Sequence, residues 1–201
     1  MAWYDVTGSI ADLIMAGVAV YAAANANQWF SQRSHTKGFD KAEQLLADID
    51  DQYGNLKYYI SDLHNALEYL DAINERMTYV DGKKSGDYEM LCITHKQDIE
   101  KIDRLSENFV MLERWSLVLK NKNIIEGLLK KLRDSSVSAY NSSSLAQSCI
   151  YNAEHMGMEE FQVTLKHFKT NYDEYVKELA DAEQKYIKFK KMKFIDLFHV
   201  K

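Results

Sequence analysis

The side chains best suited to acid–base or metal chemistry are six histidines, His35, His64, His95, His155, His167 and His199, and their spacing argues against both uses. A di-iron bundle needs Glu-x-x-His motifs on inward helix faces. None is present, and the nearest match, Asp196-x-x-His199, stands alone. His64 and Glu68 share a helical face at i, i+4, which reads as an exposed polar pair. Some all-helical ribonucleases place a histidine four to six residues after an arginine, and no arginine of this chain has one there. There is no glycine-rich phosphate loop, no HExxH and no G-x-S-x-G. Cys92 and Cys149 have no CxxC spacing, so they build neither a disulfide framework nor a zinc knuckle and read as buried structural thiols in a reducing compartment. The expectation is a non-enzymatic protein without metal or cofactor.

The net charge of −5 and pI near 5.7 argue against nucleic acid as a partner, because phosphate binding needs a concentrated basic face. The one basic cluster lies at residues 185–193, within KYIKFKKMK. Its default reading is a solvated helix end, and its alternative is a surface for anionic lipid or an acidic partner.

The elements around these residues are legible. The chain has no proline where average usage would give about ten, and only eight glycines. Proline is what helix interiors exclude, so the chain reads as nearly all helix. From Phe39 to Met77 apolar residues step by three and four: Phe39, Ala42, Leu46, Ile49, Tyr53, Leu56, Ile60, Leu63, Leu67, Leu70, then Asn74 and Met77. That spacing marks a seam for coiled-coil-like packing, on which Asn74 either fixes register or reaches solvent.

The stretch DGKKSGD (81–87) has turn composition. A second seam follows through Leu91, Ile99, Ile102, Leu105, Phe109, Leu112 and Leu119, continuing through Ile124, Leu128 and Leu132 unless KNKN (120–123) breaks it. The serine-dense RDSSVSAYNSSS (133–144) reads as a loop or frayed end. A last helix is expected from about Leu145 onward, with a seam at Phe161, Leu165, Phe168, Tyr172, Tyr175 or Val176, Leu179, Ala182 and Tyr186. Thirteen tyrosines suit such seams, because the ring packs while the hydroxyl reaches the wet rim. Short connections make the three long helices, or four if KNKN interrupts, an antiparallel bundle.

Residues 3–30, WYDVTGSIADLIMAGVAVYAAANANQWF, carry no Lys or Arg and have aromatic pairs at both ends. As a helix they cover about 40 Å, the thickness of a bilayer through its interfaces. Trp3, Tyr4, Trp29 and Phe30 would sit at the two headgroup levels. Arg33 and Lys37 on the C-terminal flank would place the N-terminus outside and the bundle in the cytoplasm. A secretory signal is disfavoured by the missing positive n-region. A soluble bundle helix is the remaining alternative, because the continuous apolar core, residues 13–24, is short for a span.

Gly8, Asp12, Ala16, Ala19, Ala23 and Asn27 fall on one small, slightly polar face that suits helix–helix association. The fold expectation is therefore all-α: a membrane-spanning helix with its flanks over residues 1–32, then a cytoplasmic bundle over 33–201. The functional expectation is a homo-oligomeric scaffold or adaptor at the bacterial inner membrane, with membrane lipid and an unidentified protein as partners. The alternatives are an oligomeric membrane-permeabilising effector, with Asp12 lining the pore, and a soluble all-α binding module or enzyme. If the pore alternative holds, Asp12→Leu abolishes ion leakage from liposomes while leaving insertion intact; unchanged leakage excludes it.

Overall fold

The computed structural model describes the backbone over residues 3–200, with side chains at 15, 18, 20–25 and 36–200. Its long elements are α1 (Trp3–Asn74), α2 (Lys83–Met111), α3 (Lys122–His155) and α4 (Met158–Lys190). The second half of α1 packs with α2, α3 and α4 into an antiparallel four-helix bundle, in which α3 makes the most extensive contacts, with α4 and α2. A 3-10 turn (Leu112–Trp115) and strand β1 (Leu117–Leu119) separate α2 from α3. After α4 come a single helical turn, α5 (Phe194–Leu197), and strand β2 (Phe198–Val200), which pairs antiparallel with β1 in the register Val118 opposite His199.

The heptad seams become the core. Ala42, Ile49, Tyr53, Leu56, Leu63 and Leu70 are buried from α1, and Phe161, Leu165, Phe168, Tyr175, Leu179, Ala182 and Tyr186 from α4. Of the two residues competing for one seam position, Tyr175 points inward and Val176 outward. Asn74 and Met77 lie past the end of the core and are exposed, so Asn74 does not set register from inside. Tyrosines stitch α1 to α4. The Tyr53 and Tyr186 rings stack at 3.9 Å. Their hydroxyls donate to Glu183 Oε1 at 2.8 Å and Asp50 Oδ1 at 2.8 Å, while the buried Tyr175 hydroxyl donates to the Leu56 carbonyl.

Three boundaries differ from the sequence expectation, and a fourth, at KNKN, is one that the sequence left open. The first turn lies at residues 75–82, not 81–87. Arg76 takes a left-handed conformation (φ 59°) and ends α1, while the Asp81 carboxylate accepts the Lys83 N–H at 3.1 Å and starts α2. Of the charges that resembled a turn, Lys83, Lys84 and Asp87 occupy the first turns of α2, ahead of its first buried residue, Tyr88. The middle segment does break, just before KNKN, which makes the bundle four helices and not three.

The serine-rich stretch 133–144 is the middle of α3 and not a loop. Ser135, Ser136 and Ser142 return their hydroxyls to carbonyls one turn back at 2.8–3.0 Å, so they satisfy themselves inside the core. The last segment is interrupted at Gly157, whose φ of +115° is a conformation that L side chains rarely adopt.

Among the described residues, no helix is long and apolar enough to cross a membrane. The expected span over residues 3–30 falls mostly on side chains outside the described ones. Its backbone is helical, and α1 continues without a break through the expected boundary at residue 32.

Ala139 is fully buried among the α3 serines. Ala139→Leu overpacks this face and is expected to lower stability by about 1–3 kcal/mol, read as a reduced urea midpoint.

Candidate functional site

On the inward face of α2, His95 and Asp98 stand one turn apart, at i and i+3, and both are almost completely buried. Each meets a side chain from another helix. Across from α3, the Ser143 hydroxyl lies 3.0 Å from His95 Nε2. From α1, Tyr59 donates its hydroxyl to Asp98 Oδ2 at 2.6 Å and presents its ring edge-on to the His95 imidazole, with centroids 4.3 Å apart. Lys101 reaches over from the surface to Asp98 Oδ1 at 2.9 Å. One polar knot thus joins three of the four helices inside the bundle.

The electrostatics follow from burial. Desolvation disfavours the imidazolium, and His95 is pushed down to about 4 even though the Asp98 carboxylate pulls the other way. Desolvation and the hydrogen bond to Asp98 raise the Tyr59 phenol well above its ordinary range. At neutral pH the knot holds a neutral histidine and a neutral phenol.

The Ser143–His95 distance is that of a nucleophile and its base, but the rest of a hydrolytic constellation is missing. No carboxylate orients the imidazole: Nδ1 is buried without a hydrogen-bond partner, and Asp98 spends its oxygens on Tyr59 and Lys101. Ser143 is fully buried, so its hydroxyl meets helix and not substrate. This geometry fixes helix register, since sliding any of the three helices by one turn would strand a buried polar group, at a cost of about 1–3 kcal/mol.

An open groove of about 650 Å³ runs between α1 and α2, with Asp48, Asp51 and Gln52 on one wall and Lys101, Arg104 and Asn108 on the other. The two walls are opposite in charge. Among the described residues no group of three or more His, Cys, Asp or Glu side chains is placed to hold a metal ion.

The residues singled out from sequence fall elsewhere. The side chains of Gly8, Asp12, Ala16, Ala19 and Asn27, and of Trp3, Tyr4, Trp29, Phe30 and Arg33, lie outside the described ones. Ala23 is exposed on α1, and Lys37 is exposed with its ammonium 5.5 Å from the centroid of the Trp115 ring. His64 and Glu68 form an exposed pair at 3.4 Å, as their spacing suggested. Cys149 is buried and its thiol is pushed up to about 12 by desolvation, while Cys92 is half-buried on α2.

The polar knot escaped the sequence reading, although a signal was there. The second seam skips from Leu91 to Ile99, and the residue that fills the gap at the right spacing is His95. Comparison with protein-family models, curated proteins and solved structures finds no match.

The knot implies a pH dependence with a definite sign. A histidine depressed from 6.5 to about 4 binds fewer protons folded than unfolded, so its contribution is complete above pH 6.5 and is lost as pH falls toward 4. Its full size is about 3 kcal/mol. Denaturant titrations from pH 7 to 4 are expected to show falling stability in the parent chain, with a flatter profile in His95→Gln.

Proposed function

We propose that the chain is a membrane-anchored, non-enzymatic helical protein that acts by self-association and by protein contacts of its bundle at the bacterial inner membrane. In this reading the first half of α1 is the anchor, the N-terminus lies outside, and the bundle of residues 33–201 faces the cytoplasm.

One observation supports the reading above the others. α1 is 72 residues long, whereas α2, α3 and α4 have 29, 34 and 33. Among the described residues its buried apolar side chains begin at Ala42, with Gly38 and Phe39 packed on the base just before it, so about half of the helix precedes the shared core. The described side chains on that extension are bare: Met15 is 68% exposed, Val18 62%, Val20 70% and Tyr21 72%, and 22–25 are exposed as well. Residues 15–25, MAGVAVYAAAN, carry no charge. An uncharged helix rich in Ala and Val, with no cover from its own chain, is covered by lipid, by another copy, or by both. The same exposure counts against the soluble alternative, in which this helix would pack in the chain's own core.

Fractionation of the full chain and of a variant lacking residues 1–32, with the mass of each assembly measured, tests the proposal. The full chain is expected with the membranes and as an oligomer, and the shortened chain as a folded, smaller species in the supernatant. A full chain that stays in the supernatant without detergent, or a shortened chain that unfolds, would overturn the reading.

A further inference from the structure

The bundle has two unlike ends, and the end from which α1 departs is built differently from the other. The loop after α2, the strand pair and the whole C-terminal tail gather there. Gly38 of α1 lies so near the Trp115 backbone that a Cβ would come 2.9 Å from its carbonyl oxygen. Phe39 meets Phe194 at 5.4 Å, Phe194 meets Phe198 at 4.6 Å, and Phe198 stacks on Phe109 of α2. These rings seal the base of the core and leave an apolar groove of about 370 Å³ bordered by Phe39, Ile195, Phe198 and Val200. Ile195 is 67% exposed and Val200 41%.

Lysines surround this apolar base: Lys37 and Lys41 from α1, Lys120 before α3, and Lys188, Lys191 and Lys193 at the end of α4 and just past it. All six are exposed. Among the described residues Lys41, Lys188 and Lys191 make no ion pair, and Lys120 spends its ammonium on the Ile195 carbonyl at 2.9 Å. Lysines in the last turn of α4 complement its dipole, but that accounts for neither Lys37 and Lys41 nor the lysines that continue beyond the helix.

We infer that this end of the bundle is a platform that rests on an anionic lipid surface, its lysines on the headgroup phosphates and its exposed Ile195 and Val200 at the interface. The inference depends on the anchored reading for its orientation. From Phe30, at the end of the expected span, to Gly38 is about 12 Å of helix. The headgroup layer is about 5–8 Å thick on each side. Lysine side chains, on the order of 6 Å long, reach back across that distance to within roughly one screening length, about 8 Å, of the phosphates. Each lysine so placed multiplies surface partitioning about fivefold. A mixture of a lysine border, exposed aliphatic side chains and an aromatic such as Trp115 suits a headgroup layer better than an acidic protein, which would engage the charge and leave the apolar base bare.

The test uses the full chain carrying Cys92→Ser and Ile195→Cys, with a fluorophore on the new thiol. It is reconstituted with vesicles of phosphatidylcholine alone or mixed with phosphatidylglycerol, each containing headgroup-spin-labelled lipid. Strong quenching is expected in the anionic vesicles, weak quenching in the neutral ones, and loss of the difference in 1 M salt, where the screening length is about 3 Å. Lys41→Glu, Lys188→Glu and Lys191→Glu together should lose most of the quenching, and the Gln versions part of it, with helical circular dichroism unchanged. Equal quenching in both vesicles, or no response to the lysine variants, would overturn the platform. Binding of polyglutamate by the full chain without headgroup quenching would also overturn it, in favour of an acidic protein partner. Failure to float with neutral vesicles would sink the anchor, whereas salt-sensitive flotation with anionic vesicles alone would still support the platform.

Discussion

Four helices can share a core only over the length that all of them possess, and that limit organises this molecule. α2, α3 and α4 each span about 45–50 Å, while α1 spans about 108 Å. The excess cannot be buried by the chain itself. It follows that, among the described residues, the fully buried apolar side chains of α1 begin at Ala42, with Gly38 and Phe39 packed on the base just before it, and that the bundle must be closed at the level where α1 leaves it. The closing falls to Phe39, Phe109, Phe194 and Phe198, with the β1–β2 pair as their frame. A short two-stranded sheet is marginal by itself. Here it holds because Leu117, Leu197 and Phe198 are buried beneath it.

Within the shared length, the bundle must also choose one register from several that the heptad seams would tolerate. Apolar seams alone discriminate weakly, since a shift of one turn places one Leu where another stood. Polar groups inside the core discriminate better, because each has to find its partner again. Asp98 with Tyr59, and His95 with Ser143, serve this role between α2 and its neighbours, and Tyr175 on the Leu56 carbonyl serves it between α4 and α1.

What was legible in the sequence was whatever depends on periodicity alone. The seam of α4 was readable almost residue by residue, since burial of a long helix requires a stripe at three-and-four spacing. That of α1 was readable in part, because Leu45, Tyr59, Ala66 and Ile73 are buried beside the expected stripe, as a helix packed against more than one neighbour needs a wider apolar face. What was not legible depends on partners distant in sequence. Serine in a run reads as loop because its hydroxyl competes with backbone hydrogen bonds. Whether it does so depends on context, and in α3 the hydroxyls of Ser135, Ser136 and Ser142 bond back along the helix itself. His95 looked like one of six scattered histidines because Tyr59 and Ser143 are brought to it only by the fold. The strand pair was invisible for the same reason: LVL and FHV are too short to announce themselves, and their pairing joins segments some eighty residues apart.

The extension joins the bundle without a change of secondary structure. α1 crosses the junction as continuous helix, with no proline anywhere in the chain to hinge it. At that level Gly38 removes the side chain that would hold α1 away from the Trp115 backbone, so the helix is pressed against the base and not merely attached to it. Lys37 lies over the Trp115 ring on one side of this contact, and Phe39 enters the phenylalanine cluster on the other. A displacement of α1 at residues 37–39 would therefore open the seal at the base of the core.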